Sequence, residues 1–249
     1  MKKYALTLVA ITLAFTGSVQ AQMGRMPGPG YSRAMLKLFG ENPTFTADVE
    51  IQSGTAGETQ MTIPGKMAVD KTKLRFEMNL ANARGGQMNP NTANQMKTMG
   101  MDKTITISRP DLKLNYIVFP GLNSYVSSPL QDPDANKPDS AFKVDTTELG
   151  KETVDNHPCV KNKMVVTDDQ GKTYESTVWN ATDIKNFPVK IVTSSDQGTT
   201  ATIHFKNIKT SKPEAALFDP PTDYAEYNST QELMMEQMQK RMGNMQNQN

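Results

Sequence analysis

Cys159-Val-Lys-Asn-Lys-Met-Val-Val-Thr167, then Asp168-Asp169-Gln170-Gly171, then Lys172-Thr-Tyr-Glu-Ser-Thr-Val-Trp-Asn180 is the stretch that decides the fold. Two extended runs separated by an Asp/Gly-rich turn signal make a β-hairpin. In the return arm Thr173, Glu175, Thr177 and Trp179 share one parity, while Tyr174 and Val178 share the other. Downstream, Pro188 to Ser194 and Thr199 to Lys209 form a second hairpin around Asp196-Gln197-Gly198, with Ile203 and Phe205 on one face. Alternation of apolar and polar residues between turn signals is the pattern of an antiparallel sheet.

Upstream the same period recurs. Phe45, Ala47, Val49 and Ile51 alternate with Thr46, Asp48 and Glu50, the clearest strand of the first half. Met61-Thr62-Ile63 and Lys66 to Val69 continue as strand, Asp70-Lys71-Thr72 turns, and Leu74, Phe76 and Met78 form the next inward row with Arg75 and Glu77 outward. Ile105 and Ile107 precede an Arg109-Pro110-Asp111 turn; Leu112, Leu114, Tyr116 and Val118 follow at period two, and Tyr125-Val126 is a short further strand. Between these, Ala81 to Gly100 has no period and reads as an Asn/Gly/Met-rich insert with a helical turn or two after Pro90. Roughly ten short strands at regular spacing, with helices near the ends, predict a mainly β fold: a curved antiparallel sheet or half-open β-barrel. A short helix from an N-cap at Ser32 to Phe39 precedes the sheet. Ser229-Thr-Gln-Glu232 is a capping box for a C-terminal helix up to Gly243.

The first residues read as a secretory leader: Lys2-Lys3, an apolar run from Tyr4 to Phe15, and small residues ending at Ala21. That run is too short to span a bilayer, which needs about 20 apolar residues. The expected organisation is a signal peptide over 1–21, a Gly/Pro/Met-rich lead-in over 22–30, one β domain over 31–227 and a Met-rich helix and tail over 228–249. Without the leader, 25 basic and 26 acidic side chains remain, a net charge of −1. Such a chain carries no electrostatic footprint for nucleic acid. The expectation is a soluble, periplasmic protein that does not span the membrane.

No catalytic set is legible. His157 and His204 are the two histidines and Cys159 the one cysteine. Pro158 fixes the backbone between His157 and Cys159, so a thiol-imidazole pair is sterically poor, and two such residues fall short of a zinc site. No triad order, phosphate-binding loop or dinucleotide fingerprint appears. The reading is a protein without enzymatic activity or cofactor. The 17 methionines are the compositional oddity, clustered at Met88, Met96, Met99 and Met101 and again at Met234, Met235, Met238, Met242 and Met245. Deformable apolar filler over a greasy surface is the favoured account. A soft Cu(I) site on Met234, Met238 and Met242, spaced i, i+4, i+8, is the alternative.

The order of Phe45-Thr-Ala-Asp-Val49, Lys73-Leu-Arg-Phe-Glu77, Ile107-Ser-Arg-Pro-Asp111, Phe119-Pro120 with Tyr125, Leu149-Gly-Lys-Glu-Thr-Val154, His157-Pro-Cys159, Trp179-Asn-Ala-Thr-Asp183, Phe187-Pro-Val-Lys190 and Phe218-Asp-Pro-Pro221 resembles the LolA-like superfamily of periplasmic lipoprotein carriers. Within it, the chain is similar to the outer-membrane lipoprotein-sorting-like branch. The resemblance implies a half-open barrel with a helical lid segment, whose concave face holds lipid, lipoprotein acyl chains or another apolar ligand. It implies that an arginine on an early strand holds the lid, a role that falls on Arg75. The cavity-lining set expected from it is Phe45, Val49, Leu74, Phe76, Leu114, Tyr116, Trp179, Ile203 and Phe205. The insert over 81–100 and the Met-striped tail depart from the family pattern. An envelope sensor or interaction module, meeting a protein partner at a sheet edge, is a further reading.

Overall fold

A computed structural model of the chain describes residues 33–55, 60–86, 90–130, 138–194 and 199–246. The leader, the lead-in, Ser32, Met88 and the Asp196-Gln197-Gly198 turn lie outside the described residues.

One large sheet is built from two meanders laid side by side. Strands β1 (Thr44–Thr55), β2 (Met61–Asp70), β3 (Lys73–Asn79), β5 (Lys103–Arg109), β6 (Leu114–Phe119) and β7 (Ser124–Pro129) step outward from β1. Strands β8 (Lys143–Val154), β9 (His157–Thr167), β10 (Thr173–Ala181), β11 (Phe187–Ser194) and β12 (Thr199–Lys209) step inward from the other edge, and β12 pairs with β1. The two-residue strand β4 (Arg84–Gly85) pairs β2, and β13 (Ala225–Tyr227) adds to β7 as the one parallel pair. The order β13-β7-β6-β5-β3-β2-β1-β12-β11-β10-β9-β8 does not close, so the sheet is curved and open, as the sequence pattern predicts. Register shifts between Thr46 and Asp48, between Glu148 and Gly150, and between Trp179 and Asn180 bend it, because an extra residue on one strand kinks and twists the pair locally.

The registers give the sheet two faces. On the first, Phe45, Ala47 and Val49 of β1 lie beside Val69 and Met67 of β2, Leu74 and Phe76 of β3, and Phe205 and Ile203 of β12. A helix over Arg33–Leu36, tightening into a 3-10 turn over Lys37–Phe39, lays Leu38 and Phe39 on this row. Four rings interlock there: Phe39 stacks on Phe45 at 4.7 Å between centroids, Phe45 meets Phe187 edge-on at 4.9 Å, and Phe205 meets Phe187 edge-on at 5.7 Å. Buried Asn42 holds the entry in place by donating to the carbonyls of Phe39 and Lys185.

Four elements extend or shift the sequence reading. A nine-residue helix, Pro90–Thr98, stands inside the insert. Its end is fixed by backbone contact: a Cβ on Gly121 would lie 2.6 Å from Cα and O of Gly100, so both positions require glycine. Strand β6 starts at Leu114, and Leu112 sits exposed in the preceding turn. Strand β8 is an edge strand without a dry face, and β13 is a three-residue edge strand of which Tyr227 alone is buried, so neither was announced by alternation. The C-terminal helix runs from Thr230 to Gln246, with the Ser229 hydroxyl accepting from the Glu232 amide at 3.1 Å. None of the described helices is long and apolar enough to cross a membrane.

Candidate functional site

Topology creates the site. After β12, in the middle of the sheet, the chain must reach β13 beyond β7, at the edge. The segment between them crosses the second face, and its 3-10 turn, Ala215–Phe218, rests on β3 and β5. Phe218 is 1% exposed and packs with Ala68, Ile105, Ile107, Tyr116 and Val118, with Leu114, Leu217, Tyr125 and Tyr224 at the margin. These strand residues share a face because Arg75 pairs Ile107, Ile107 pairs Tyr116, and Val118 pairs Tyr125. The result is an apolar patch covered by one turn. Burial pushes both the Tyr116 and Tyr125 phenols up from their ordinary values, with the Glu226 carboxylate adding to the rise at Tyr125.

Two arginines clasp the turn. Arg75 donates to the Leu217 carbonyl at 3.2 Å, and Arg109 donates to the Phe218 carbonyl at 3.2 Å and to the Asp219 carboxylate. Each guanidinium is aimed by a carboxylate two residues further along. Glu77 receives Nε and Nη2 of Arg75 at 3.1 and 2.8 Å; Asp111 receives Nε and Nη2 of Arg109 at 2.9 Å each. Burial opposes the charge on Glu77, but Arg75 and Lys103 more than offset it and hold the carboxyl below its usual value. The Arg109 fork, against a smaller opposing burial, brings Asp111 down to about 2, and Asp111 in turn raises Arg109. The Arg109–Asp111 pair is a two-oxygen fork, geometrically specific as well as strong, whereas both Arg75 nitrogens meet one oxygen of Glu77.

Beside the turn lies a cleft of about 420 Å³, lined by Asp48, Lys66, Arg75, Glu77, Lys209 and Leu217 among others. Its walls are charged where the patch under Phe218 is apolar.

The residues expected to line one cavity divide between the faces. Phe45, Val49, Leu74, Phe76 and Phe205 are buried in the ring-centred cluster of the first face, with Ile203 partly buried against it. Leu114 and Tyr116 belong to the patch under Phe218. Trp179, at the β10 bulge, pairs with Lys161 and Lys190, whose ammonium groups lie 5.0 and 4.5 Å from its ring centroid, and its indole N–H donates to Glu152. Arg75, read as pointing outward, is half-buried and touches the turn. Arg109 was read only as part of a turn. The signal for it was present: it continues the Ile105, Ile107 row, and a charge on a dry row needs a partner.

Cys159 and His157 make no catalytic pair. The thiol is buried, donates to the His157 carbonyl at 3.3 Å, and burial raises its pKa, while the His157 ring meets Asp183 at 2.8 Å. No cluster of three or more His, Cys, Asp or Glu side chains suited to a metal occurs among the described residues. Along the C-terminal helix, Met234 packs on the cluster of Phe119, Val126, Tyr227 and Leu233, whereas Met238 and Met242 are exposed.

Fold and site together define an open β-sheet protein with an apolar patch under an arginine-held turn. No family model matches the chain, and no curated protein matches it. Among solved structures it is similar to a LolA superfamily protein from Nitrosomonas europaea, at 6% identity over 75% of this chain and 94% of that one, with a TM-score of 0.39. It is similar to the lipoprotein LppX from Mycobacterium tuberculosis, at 8% identity over 73% and 94%, with a TM-score of 0.41. An outer membrane lipoprotein-sorting protein domain from Vibrio parahaemolyticus shares 10% identity over 74% and 93%, with a TM-score of 0.31. The Nitrosomonas europaea protein belongs to the superfamily that this sequence resembles.

Proposed function

We propose that the protein is a non-catalytic binder or carrier of a lipid or lipidated ligand in the cell envelope, and that the Ala215–Phe218 turn is its lid. The observation that carries this reading is the pairing of a plug with a releasable clasp. Phe218 fills an apolar patch on the face opposite the ring cluster, and the turn is otherwise tied to the sheet through Arg75 and Arg109. Lifting it presents Ile105, Ile107, Leu114, Tyr116 and Val118 to an acyl chain, which gains about 0.8 kcal/mol per methylene removed from water. No reactive group is required for that. The ring cluster around Phe45 and Phe205 is the support, and the leader-like N-terminus provides the route to the periplasm.

Arg75 is the control point, because it touches the lid while standing on a rigid central strand. The test follows a fluorescent long-chain fatty acid on the wild type and on Arg75→Leu, measuring dissociation rate and thermal midpoint together. The reading expects saturable binding and, in the variant, a changed dissociation rate with little change in midpoint. Absence of saturable binding in the wild type, or equal loss of affinity and stability in the variant, contradicts it.

A further inference from the structure

Half of the large exposed apolar side chains of the described residues stand on one helix. Met235, Met238 and Met242 are 56%, 57% and 55% exposed, against Leu112, Val144 and Leu149 scattered elsewhere. Among the described residues, the helix Thr230–Gln246 packs on the sheet through its first turns, where Leu233 and Met234 join the cluster at Phe119 and Tyr227. At about 100° per residue, positions 235, 238 and 242 fall within an arc of roughly 60°. They form one stripe, on the side away from the Glu236–Lys240 ion pair. Met238 and Met242 of the i, i+4, i+8 series stay free, while Met234, its first member, is used in packing and Met235 stands exposed in its place.

We propose that Met235, Met238 and Met242 form a soft-metal site that takes Cu(I) through three thioether sulfurs. Two observations set this apart from an ordinary apolar stripe. Every exposed large apolar side chain on the helix is methionine, and its single leucine, Leu233, is fully buried. Methionine also serves adaptable apolar surfaces, so what separates a metal site from a docking face here is the sulfur chemistry that the test below reads. The stripe spans about 10 Å along the axis, and an unbranched side chain with three rotatable bonds lets outer and inner sulfurs converge on one ion. Thioethers select Cu(I) over zinc, magnesium or calcium, and the absence of a His/Cys/Asp/Glu cluster among the described residues leaves those harder ions no competing site. The site is independent of the lipid reading, since none of its three methionines belongs to the clasp or to the patch under Phe218.

The test uses the full chain, with Cu(I) supplied as its acetonitrile complex under anaerobic conditions and titrated against a chromogenic Cu(I) chelator. The combined variant Met235→Leu, Met238→Leu and Met242→Leu keeps volume, apolarity and helix propensity, so it removes sulfur alone. The wild type is expected to withhold one equivalent more Cu(I) than the variant, while Met234→Leu behaves as wild type. Equal retention by wild type and triple variant overturns the proposal, as does a wild type that withholds none. Circular dichroism checks that the helix is intact in the variant. A second readout needs no variant: in a chain carrying labelled methionine methyls, Ag(I) should shift the signals of Met235, Met238 and Met242 together. Silver shifts confined to other methionines overturn the assignment equally.

Discussion

Phe218→Ala separates a lid from a piece of core. The phenyl ring is 1% exposed and contacts the patch made by Ile105, Ile107, Tyr116 and Val118. Truncating a fully buried Phe to Ala in an unyielding core costs about 3–5 kcal/mol, transfer and cavity terms together. That full cost applies only if the site stays closed. The turn is held otherwise by carbonyl bonds to Arg75 and Arg109, each worth about 1.5–3 kcal/mol as hydrogen bonds to a charged group before solvent competition. Where water replaces those bonds as the turn lifts, so that little of their strength is lost, opening the turn over a missing Phe218 costs less than keeping it shut over a void. The loss of global stability then saturates at the cost of opening, below the full truncation value. The assay pairs urea unfolding with binding of an environment-sensitive apolar dye to the native state. The expected result is a midpoint loss smaller than a core truncation such as Phe205→Ala produces, together with a marked rise in dye binding. A loss of about 3–5 kcal/mol with no rise in dye binding would refute the reasoning and make Phe218 ordinary core.

Three further outcomes are expected. Asp111 is depressed in the folded state, so its contribution to the clasp is complete above the ordinary carboxylate value of 3.8 and is lost as pH falls towards about 2. Dye binding by the wild type should therefore rise across that window relative to Asp111→Asn, and parallel curves would exclude Asp111 as the group that aims Arg109. Gly121→Ala should destabilise by about 1–3 kcal/mol, since the new methyl meets the Gly100 backbone and cannot be relieved by a side-chain rotation; an unchanged unfolding midpoint would show that the two turns separate freely. Trp179→Ala should cost about 3–5 kcal/mol in the same assay, because the indole is 6% exposed between Lys161, Lys190 and Glu152. A cost below about 1 kcal/mol would identify it as a surface ring.

Much of the fold was legible because its central strands have one row that must stay dry. Phe45, Ala47 and Val49 alternate with polar neighbours, and the turn residues that separate the strands are Gly, Asp and Asn. What escaped the pattern escaped for physical reasons. Lys143 to Thr153 is mostly polar because an edge strand facing water on both sides needs no period, so the longest pairing partner of β9 left no trace in hydropathy. The division of the expected cavity residues between two faces depends on register, and register is set by pairing between β5, β6 and β7 rather than by any one strand. Leu114 and Tyr116 alternate as cleanly as Phe45 and Val49 do; only the pairing shows that they look the opposite way. The site was the least legible part. Arg75 is visible in sequence as a charge between Leu74 and Phe76, but its partner, the carbonyl of Leu217, lies 142 residues along the chain. A backbone acceptor carries no side-chain signature at all.

The central claim is that the covered patch exists to receive an acyl chain. Native mass spectrometry of the protein, isolated from cells without detergent and followed by organic extraction, addresses it most directly. The account predicts a discrete co-purifying lipid or acylated mass at near one per chain, displaced by the fluorescent fatty acid and diminished in Arg75→Leu. A chain that arrives empty, accepts no long-chain fatty acid on incubation, and does so equally with Phe218 intact or truncated would contradict it.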